Sequence, residues 1–407
     1  MTACVWDGQL VIYDTTPHRG TDKALSETLE FLRTATDTDA QQPPLGYALI
    51  GWHVDDGTGV ACSVGWDLDH TSNRVVGYLR GVIETVYATT LTGWHGNKAL
   101  GFTLQLNDKD RSVSLTAPDA LEQLARDVTS GGMVIGPKHV MTEDFIDIPA
   151  GVLPATGDPT HAAVKEAMAL CRHALGVLIW LSNAYMQAAM PTNTLCANMA
   201  APHPELTLKA LRFLIMHLVK YPHGVRYGGH GAYSLEYDPE RAEGSPYEGP
   251  KAMHLHWFSD ANLHNARSVT GAVCMLAGGC ILAVSQRQHL ACPCSHTAEV
   301  VAAGTGYSML CPIAGVLQEV RIALGVPVPF FLDSQSTVFV ATSDTAIRKS
   351  AWLIRRAAVL TDAVRHGEIR PIHINDPHMA ADPFTKYKAR DVWWKHMCYV
   401  LNVPVAS

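Results

Sequence analysis

Charge is scarce in this chain of 407 residues: Asp, Glu, Lys and Arg together make up 17%, against 47% for the apolar set. That balance excludes an intrinsically disordered protein, which stays unfolded because it has too little apolar surface to offset its ordering entropy. Also missing is an uninterrupted apolar run of about eighteen residues, the length a bilayer crossing needs. The first ten residues, MTACVWDGQL, have no basic stretch leading into an apolar one, so no secretory signal is expected. An intracellular protein, cytoplasmic or nuclear, with no membrane partner is the expectation. Zinc-type spacing is absent too. The ten cysteines are scattered, and the one close pair, Cys292 and Cys294, is too tight for a zinc knuckle and has no Cys or His pair following at ligand spacing. Reduced, mostly buried thiols are expected. No internal repeat or low-complexity tract occurs. The net charge of -7 argues against a surface that binds nucleic acid all over, because phosphates need local positive charge. It leaves room for a basic groove on an acidic protein.

The length is enough for two or three domains. Residues 44–66 are expected to form two strands, Tyr47 to Val54 and Val60 to Trp66, joined by a turn at Gly57 to Gly59 with Asp55 and Asp56 beside it. A helix is expected over 74–91, a strand over 99–106 and a short helix over 118–128 behind a Pro. The two clearest helical patterns are 161–190 and 204–221. The Pro-, Gly- and Glu-rich stretch 237–251 reads as a linker. Beyond it, HLHWFSDA (254–261) reads as a strand ending in an Asp, and 269–278 with 280–285 as a hairpin. A helix over 295–319 contains Glu299, and PVPFFLDS (327–334) is a buried strand ending in an Asp. A helix over 343–366, a strand over 369–374 and a helix over 381–399 follow. Three strands and then alternating helices and strands is an α/β order with one mixed sheet.

Four acids share a logic within this order. Asp260 and Asp333 each end an apolar strand, where ligand sites of open α/β sheets lie. Glu299 sits early in a helix beside Val300, Val301 and Ala302, and Asp382 is expected to open the last helix. Taken alone, each acid is better explained as a turn residue or a helix cap. Carboxylates forced together repel unless cations neutralise them, and oxygen-only ligands select a hard ion such as Mg²⁺ or Mn²⁺. Two such ions about 4 Å apart serve phosphodiester hydrolysis. Spacing alone does not name the reaction.

Residues 256–395 resemble the ribonuclease H domain of copia-type retrotransposon polyproteins. The resemblance is carried by FSDANLHNARSVTGAV, LAGGCILAVSQRQ, SHTAEVVAA, FFLDSQST and HMAADPFTK, which follow the family's first Asp strand with its Arg-Ser-x-x-Gly hairpin, Ser-x-x-Gln segment, Ala-Glu helix, Asp-Asn-x-Ser strand end and Leu-Ala-Asp-x-x-Thr-Lys box. It implies that Asp260, Glu299, Asp333 and Asp382 are catalytic acids holding two Mg²⁺ (or Mn²⁺) ions. It also implies a ribonuclease H-like fold over 253–407, a mixed five-stranded sheet with helices. The chain departs from the family at Ser334 (usually Asn), Ala283 (commonly Trp) and Thr297 (an additional Glu). The helix at 348–366 keeps Arg348, Lys349, Arg355, Arg356 and Arg365 but not the family's usual aromatic and His residues.

The resemblance extends upstream. HVDDG (53–57) is similar to the polymerase Tyr-Val-Asp-Asp box, and segments within 161–190 and 204–229 are similar to the helices that join polymerase to ribonuclease H. IYDTTPHRG (12–20) is similar to a segment before the palm hairpin. The implied organisation is an α+β truncated reverse transcriptase palm over 1–135, a helical thumb or connection over 136–236 and a linker over 237–252. Asp55 and Asp56 are the implied palm metal ligands. A third palm Asp is absent, so polymerase activity is not expected from this chain alone. The expected activity is endonucleolytic cleavage of the RNA strand of an RNA/DNA hybrid. The alternatives are a polymerase fragment needing an upstream piece, and an inactive nucleic-acid-binding remnant. Hybrid contacts are expected from Asn262, Arg267, Ser268, Gln286, Gln288, Ser295 and Gln335, because A-form-like duplexes are read through backbone and 2′-hydroxyl contacts. Other parts of a retrotransposon polyprotein are the implied protein partner. A second basic run, Lys209, Arg212, Lys220 and Arg226, reads as a solvated helix face or a duplex track. Lys386 and His373 are further candidates near the last acid.

Overall fold

The structure, a computed structural model, describes residues 2–6, 9–13, 46–53, 56–63, 98–107, 112–129, 160–199, 202–228, 255–263, 267–319, 327–343, 351–386 and 388–403, with single positions 148, 151, 154 and 158. The helix expected over 74–91, the linker at 237–251, and Asp55, Arg348 and Lys349 lie outside the described residues. The chain divides into two compact units, Met1–Gly101 and Phe102–Ser407.

In the first unit, strands β1 (Thr2–Trp6), β2 (Gln9–Tyr13), β3 (Gly46–His53) and β4 (Asp56–Ser63) form an antiparallel sheet in the order β2-β1-β3-β4. The hairpin expected over 44–66 is present, but its turn is not at Gly57 to Gly59. His53 is the register partner of Asp56, so Gly57 and Gly59 are strand residues opposite Trp52 and Ile50. The glycines suggested a turn because they allow positive φ. In this register they instead place the smallest residues across from bulky ones. The unit ends with the short strand β5 (Lys98–Ala99). The single strand expected over 99–106 is interrupted, because Leu100 (φ 53°) and Gly101 (φ 81°) take left-handed backbone and β6 (Phe102–Asn107) starts after them.

In the second unit, β6, β7 (Ser112–Thr116) and β8 (Val225–Gly228) pair antiparallel. Helices α1 (Pro118–Thr129), α2 (His161–Leu181), α3 (Ala189–Asn198) and α4 (Pro204–Lys220) accompany them. Pro118 and Pro204 stand at helix starts, where a missing N–H costs nothing. The helix expected through residue 190 stops at Leu181. The Ser182 hydroxyl donates to the Ile179 carbonyl and the Asn183 amide to the Trp180 carbonyl, so side chains satisfy the last helical acceptors. The chain then passes buried Tyr185, whose hydroxyl accepts from the Ala117 N–H, and a 3-10 turn at Met186–Ala188.

The sheet that positions the acids has five strands, β9 (His256–Asn262), β10 (Val269–Leu276), β11 (Gly279–Arg287), β12 (Val328–Leu332) and β13 (Ile369–His373). Their order is β11-β10-β9-β12-β13. The first three run antiparallel, β12 runs parallel to β9, and β13 parallel to β12. Ala277 (φ 54°) and Gly278 (φ 78°) make the two-residue turn between β10 and β11, with both residues at positive φ as tight hairpins require. Helices α5 (Ser295–Glu319), α6 (Gln335–Thr342), α7 (Ala351–Arg365) and α8 (Arg390–Leu401) complete the described elements. The chain is thus mixed α/β with a five-stranded mixed sheet and helices.

The central strands β9, β10 and β12 are buried on both faces, which is why they are mostly apolar, whereas the edge strands β11 and β13 are half-buried. On β9 and β12, Trp257 and Phe330 belong to a core with Ala303 and Leu310 of α5 and Leu360 of α7. Their neighbours Phe258 and Phe331 belong to a second core with Met397 and Val400 of α8 and residues of α2 and α4. Phe258 stacks on Phe331 with centroids 4.9 Å apart, because the parallel register makes them partners. Burying each such ring is worth about 1.5–3 kcal/mol. Helix α5 is long and apolar enough over Ser295–Leu317 to cross a membrane by composition alone. Here its apolar residues cover the sheet, and it carries Glu299.

Two helices differ from expectation. The segment expected as one helix over 343–366 is α7, and α6 precedes it as a separate helix closed by Ser343 in extended backbone. Asp382 does not open the last helix. It opens a 3-10 turn, Asp382–Phe384, and α8 begins at Arg390. Pro383 tolerates the start of a helical turn, and the hydroxyl of Thr385 then lies within reach of the Asp382 carbonyl.

Candidate metal centre

The pairing of two parallel strands brings the first two acids together. The last register pair of β9 and β12 is Ser259 with Leu332, so Asp260 and Asp333 are the next residue on each strand. Beyond Ser259, β9 has no register partner on β12, and the Ala261 N–H hydrogen-bonds the Glu299 carboxylate of α5. Ligand oxygens of Asp260, Glu299 and Asp333 all lie within 4.8 Å of one another. Asp260 is fully buried, Glu299 is 9% exposed, and Asp333 is half-buried.

Asp382 reaches the cluster from its own turn. Gly271 on β10 faces Asp260 across the sheet, and it leaves room for the 381–385 turn, whose Ala381 carbonyl would lie 2.7 Å from a Cβ at that position. Thr385 places its hydroxyl on Asp260 Oδ2. Lys386 Nζ stands 2.7 Å from Asp382 Oδ1, 3.3 Å from Asp376 Oδ1 and 3.7 Å from Asp260 Oδ2. Lys388 pairs with Asp382 Oδ2 and lies 3.4 Å from Asp376 Oδ1. The fourth acid is therefore fully buried and neutralised by two lysines, next to a triad that has fewer cations.

Electrostatics follow this arrangement. Burial, then the neighbouring acids, pushes Glu299 up to about 10. Burial and the nearby Asp260 push Asp382 up to about 7, against the pull of the two lysines. Asp260 and Asp333 are raised chiefly by burial, with Lys386 opposing. Burial alone would raise Asp376, but Lys386 and Lys388 outweigh it and hold this mostly exposed carboxyl below its ordinary value. Lys386 is held above its ordinary value because Asp260, Asp382 and Asp376 outweigh its own burial. Among the described residues, no N–H or hydroxyl group hydrogen-bonds Asp260 Oδ1. Such a crowded, largely buried set of oxygens suits a hard divalent cation.

The structure thus brings together Asp260, Glu299 and Asp333, with Asp382 alongside. Asp56 heads β4 in the other compact unit. Of the residues expected to touch nucleic acid, Asn262 and Gln286 are half-buried, and Arg267, Ser295 and Gln335 are exposed. Ser268 and Gln288 are buried. The Gln288 amide donates to the Ala298 carbonyl and Thr270 Oγ1, and its Oε1 accepts from Cys292. In the basic run, the Arg212 guanidinium donates to the Val128 carbonyl and that of Arg226 to Ser112 Oγ, so both serve packing. Sequence reading did not single out Thr385, Lys388 or Asp376. Thr385 and Lys386 belong to the HMAADPFTK segment that carries the resemblance, so polar residues three and four places after the acid were the available signal. Asp376 gave none. No known protein family, curated protein or solved structure matches this chain.

Proposed function

We propose that this chain is a metal-dependent ribonuclease H, cleaving the RNA strand of RNA/DNA hybrids, and that it derives from a copia-type retrotransposon polyprotein. The observation that carries the reading is the buried triad Asp260, Glu299 and Asp333, converging from two strand ends and a helix. The strand order of the five-stranded sheet, three antiparallel strands followed by two parallel ones, supports the ribonuclease H-like fold that the sequence resemblance implies. Asp260, Glu299 and Asp333 would hold Mg²⁺ or Mn²⁺, with Asp382 and its two lysines beside them. Bound divalent ions supply the Lewis acidity that activates water and neutralises the leaving oxygen in phosphodiester hydrolysis. The chain's own residues do the positioning. Asn262 and Gln335 lie two residues beyond Asp260 and Asp333, and Ser295 opens the helix of Glu299, so partly exposed polar groups flank the acids along the chain. Arg267, exposed two residues before β10, would meet a phosphate of the hybrid.

The deciding experiment is cleavage of a labelled RNA/DNA hybrid in Mg²⁺ by the full chain and by Asp260→Asn. Cleavage that the substitution abolishes establishes the activity. Binding of the hybrid without cleavage by the unaltered chain overturns it and leaves an inactive nucleic-acid-binding remnant.

A further inference from the structure

The two carboxylate oxygens of Asp260 have different partners. Oδ2 takes the Thr385 hydroxyl and faces Lys386, while Oδ1 receives no N–H or hydroxyl hydrogen bond among the described residues, although the residue is fully buried. Oδ1 is therefore the atom left for an ion shared with Glu299 and Asp333. Neither Asp382 oxygen takes a hydrogen bond of good geometry among the described residues either, but each already has an ammonium on it, Lys386 on Oδ1 and Lys388 on Oδ2. A divalent ion bridging Asp260 and Asp382 would have to enter where the Lys386 ammonium stands. That ammonium is held there by the fold. The Lys386 N–H donates to the Asp382 carbonyl, closing the turn so that the side chain returns onto the acid four residues earlier, and Asp376 anchors it from the other side.

We propose that Lys386 is the built-in second cation of this centre: its ammonium holds the position between Asp260 and Asp382, so that the chain takes one divalent ion, at Asp260, Glu299 and Asp333, in place of two. The inference rests on reading the cluster as a metal centre. It differs from the two-ion expectation that the sequence resemblance implies. A tethered ammonium is a weaker electrophile than a divalent ion, but it needs no recruitment from solution.

The test counts Mn²⁺ bound to the full chain without nucleic acid, by the loss of the free-ion paramagnetic resonance signal. The unaltered chain is expected to take up one ion. Lys386→Met is expected to take up a second, about tenfold or more tighter than any second ion on the unaltered chain, the scale on which groups surrounding a metal ligand act. Lys386→Arg keeps the charge and is expected to stay at one. Two ions of similar affinity on the unaltered chain overturn the proposal while leaving the metal centre standing, and the same count decides the matter if Lys386→Met does not fold. One ion on a folded Lys386→Met also overturns it. No ion on the unaltered chain removes the metal centre itself, and the proposal with it.

Discussion

Gly271 faces Asp260 across the antiparallel pair of β9 and β10, and a Cβ at position 271 would come within 2.7 Å of the Ala381 carbonyl oxygen. Side-chain atoms do not pack that closely against backbone, so the turn carrying Asp382, Thr385 and Lys386 would have to move. Gly271→Ala is expected to destabilise the chain by about 1–3 kcal/mol, the usual cost of overpacking. Urea unfolding measures it. A change under about 0.5 kcal/mol would mean that the turn does not depend on that gap.

Ser334, one of the departures from the family pattern, caps α6. Its extended backbone and its Oγ, which accepts from the Thr337 N–H, make it the N-cap. Asn performs the same service, so Ser334→Asn should be nearly neutral, whereas Ser334→Ala should cost about 1 kcal/mol. Thermal unfolding of the two variants tests this. Equal losses in both would show that the position next to Asp333 is held by something other than the cap.

The acids were legible in the sequence because strand ends announce themselves: an apolar run stops at Asp260 and another at Asp333, and parallel pairing then makes these neighbours. Glu299 was legible from the apolar residues following it in a helix that covers the sheet. Lys386 was a candidate because it follows Asp382 by four residues, but Lys388 and Asp376 were not, because a 3-10 turn of three residues has no periodicity to read. Helix α6 was missed for a related reason. QSTVFVAT is too short to show a polar face, and its start is marked only by Ser334. The glycines at 57 and 59 misled in the opposite direction, since glycine serves a register position as well as a turn.

The raised acids fix a sign for pH dependence. Glu299 (about 10) and Asp382 (about 7) lie above the ordinary carboxylate range, so without metal the folded chain binds more protons than the unfolded one. Stability from these groups is therefore full below about pH 4, where both states are protonated, and is lost as pH rises through the folded-state values. Metal binding requires the ionised forms, so Mg²⁺ affinity runs the other way and strengthens as pH rises. Melting temperatures at pH 5 and pH 8, with Mg²⁺ and with chelator, are expected to show a larger gain from Mg²⁺ at pH 8. In chelator, Asp382→Asn should gain on the unaltered chain as pH rises from about 4 to about 7 and hold that gain above it. A Mg²⁺ gain that does not change with pH would contradict this account.

Gln288 and Arg267 separate structure from recognition. Gln288 is buried and its amide bridges the β10–β11 hairpin to α5 through Thr270 and Ala298. Removing it takes away these buried hydrogen bonds, so Gln288→Ala should lower stability by about 1–3 kcal/mol. Arg267 is exposed, and Arg267→Ala should leave stability unchanged. If Arg267 meets a hybrid phosphate, its loss should weaken hybrid binding for all sequences and reduce the salt slope of binding by about one. Hybrid titrations at several salt concentrations, beside urea unfolding of both variants, check the pair. Binding by Arg267→Ala with an unchanged slope would remove Arg267 from the interface. A Gln288→Ala variant of full stability that lost hybrid affinity would move Gln288 into it, against the hydrogen bonds that now hold it inside.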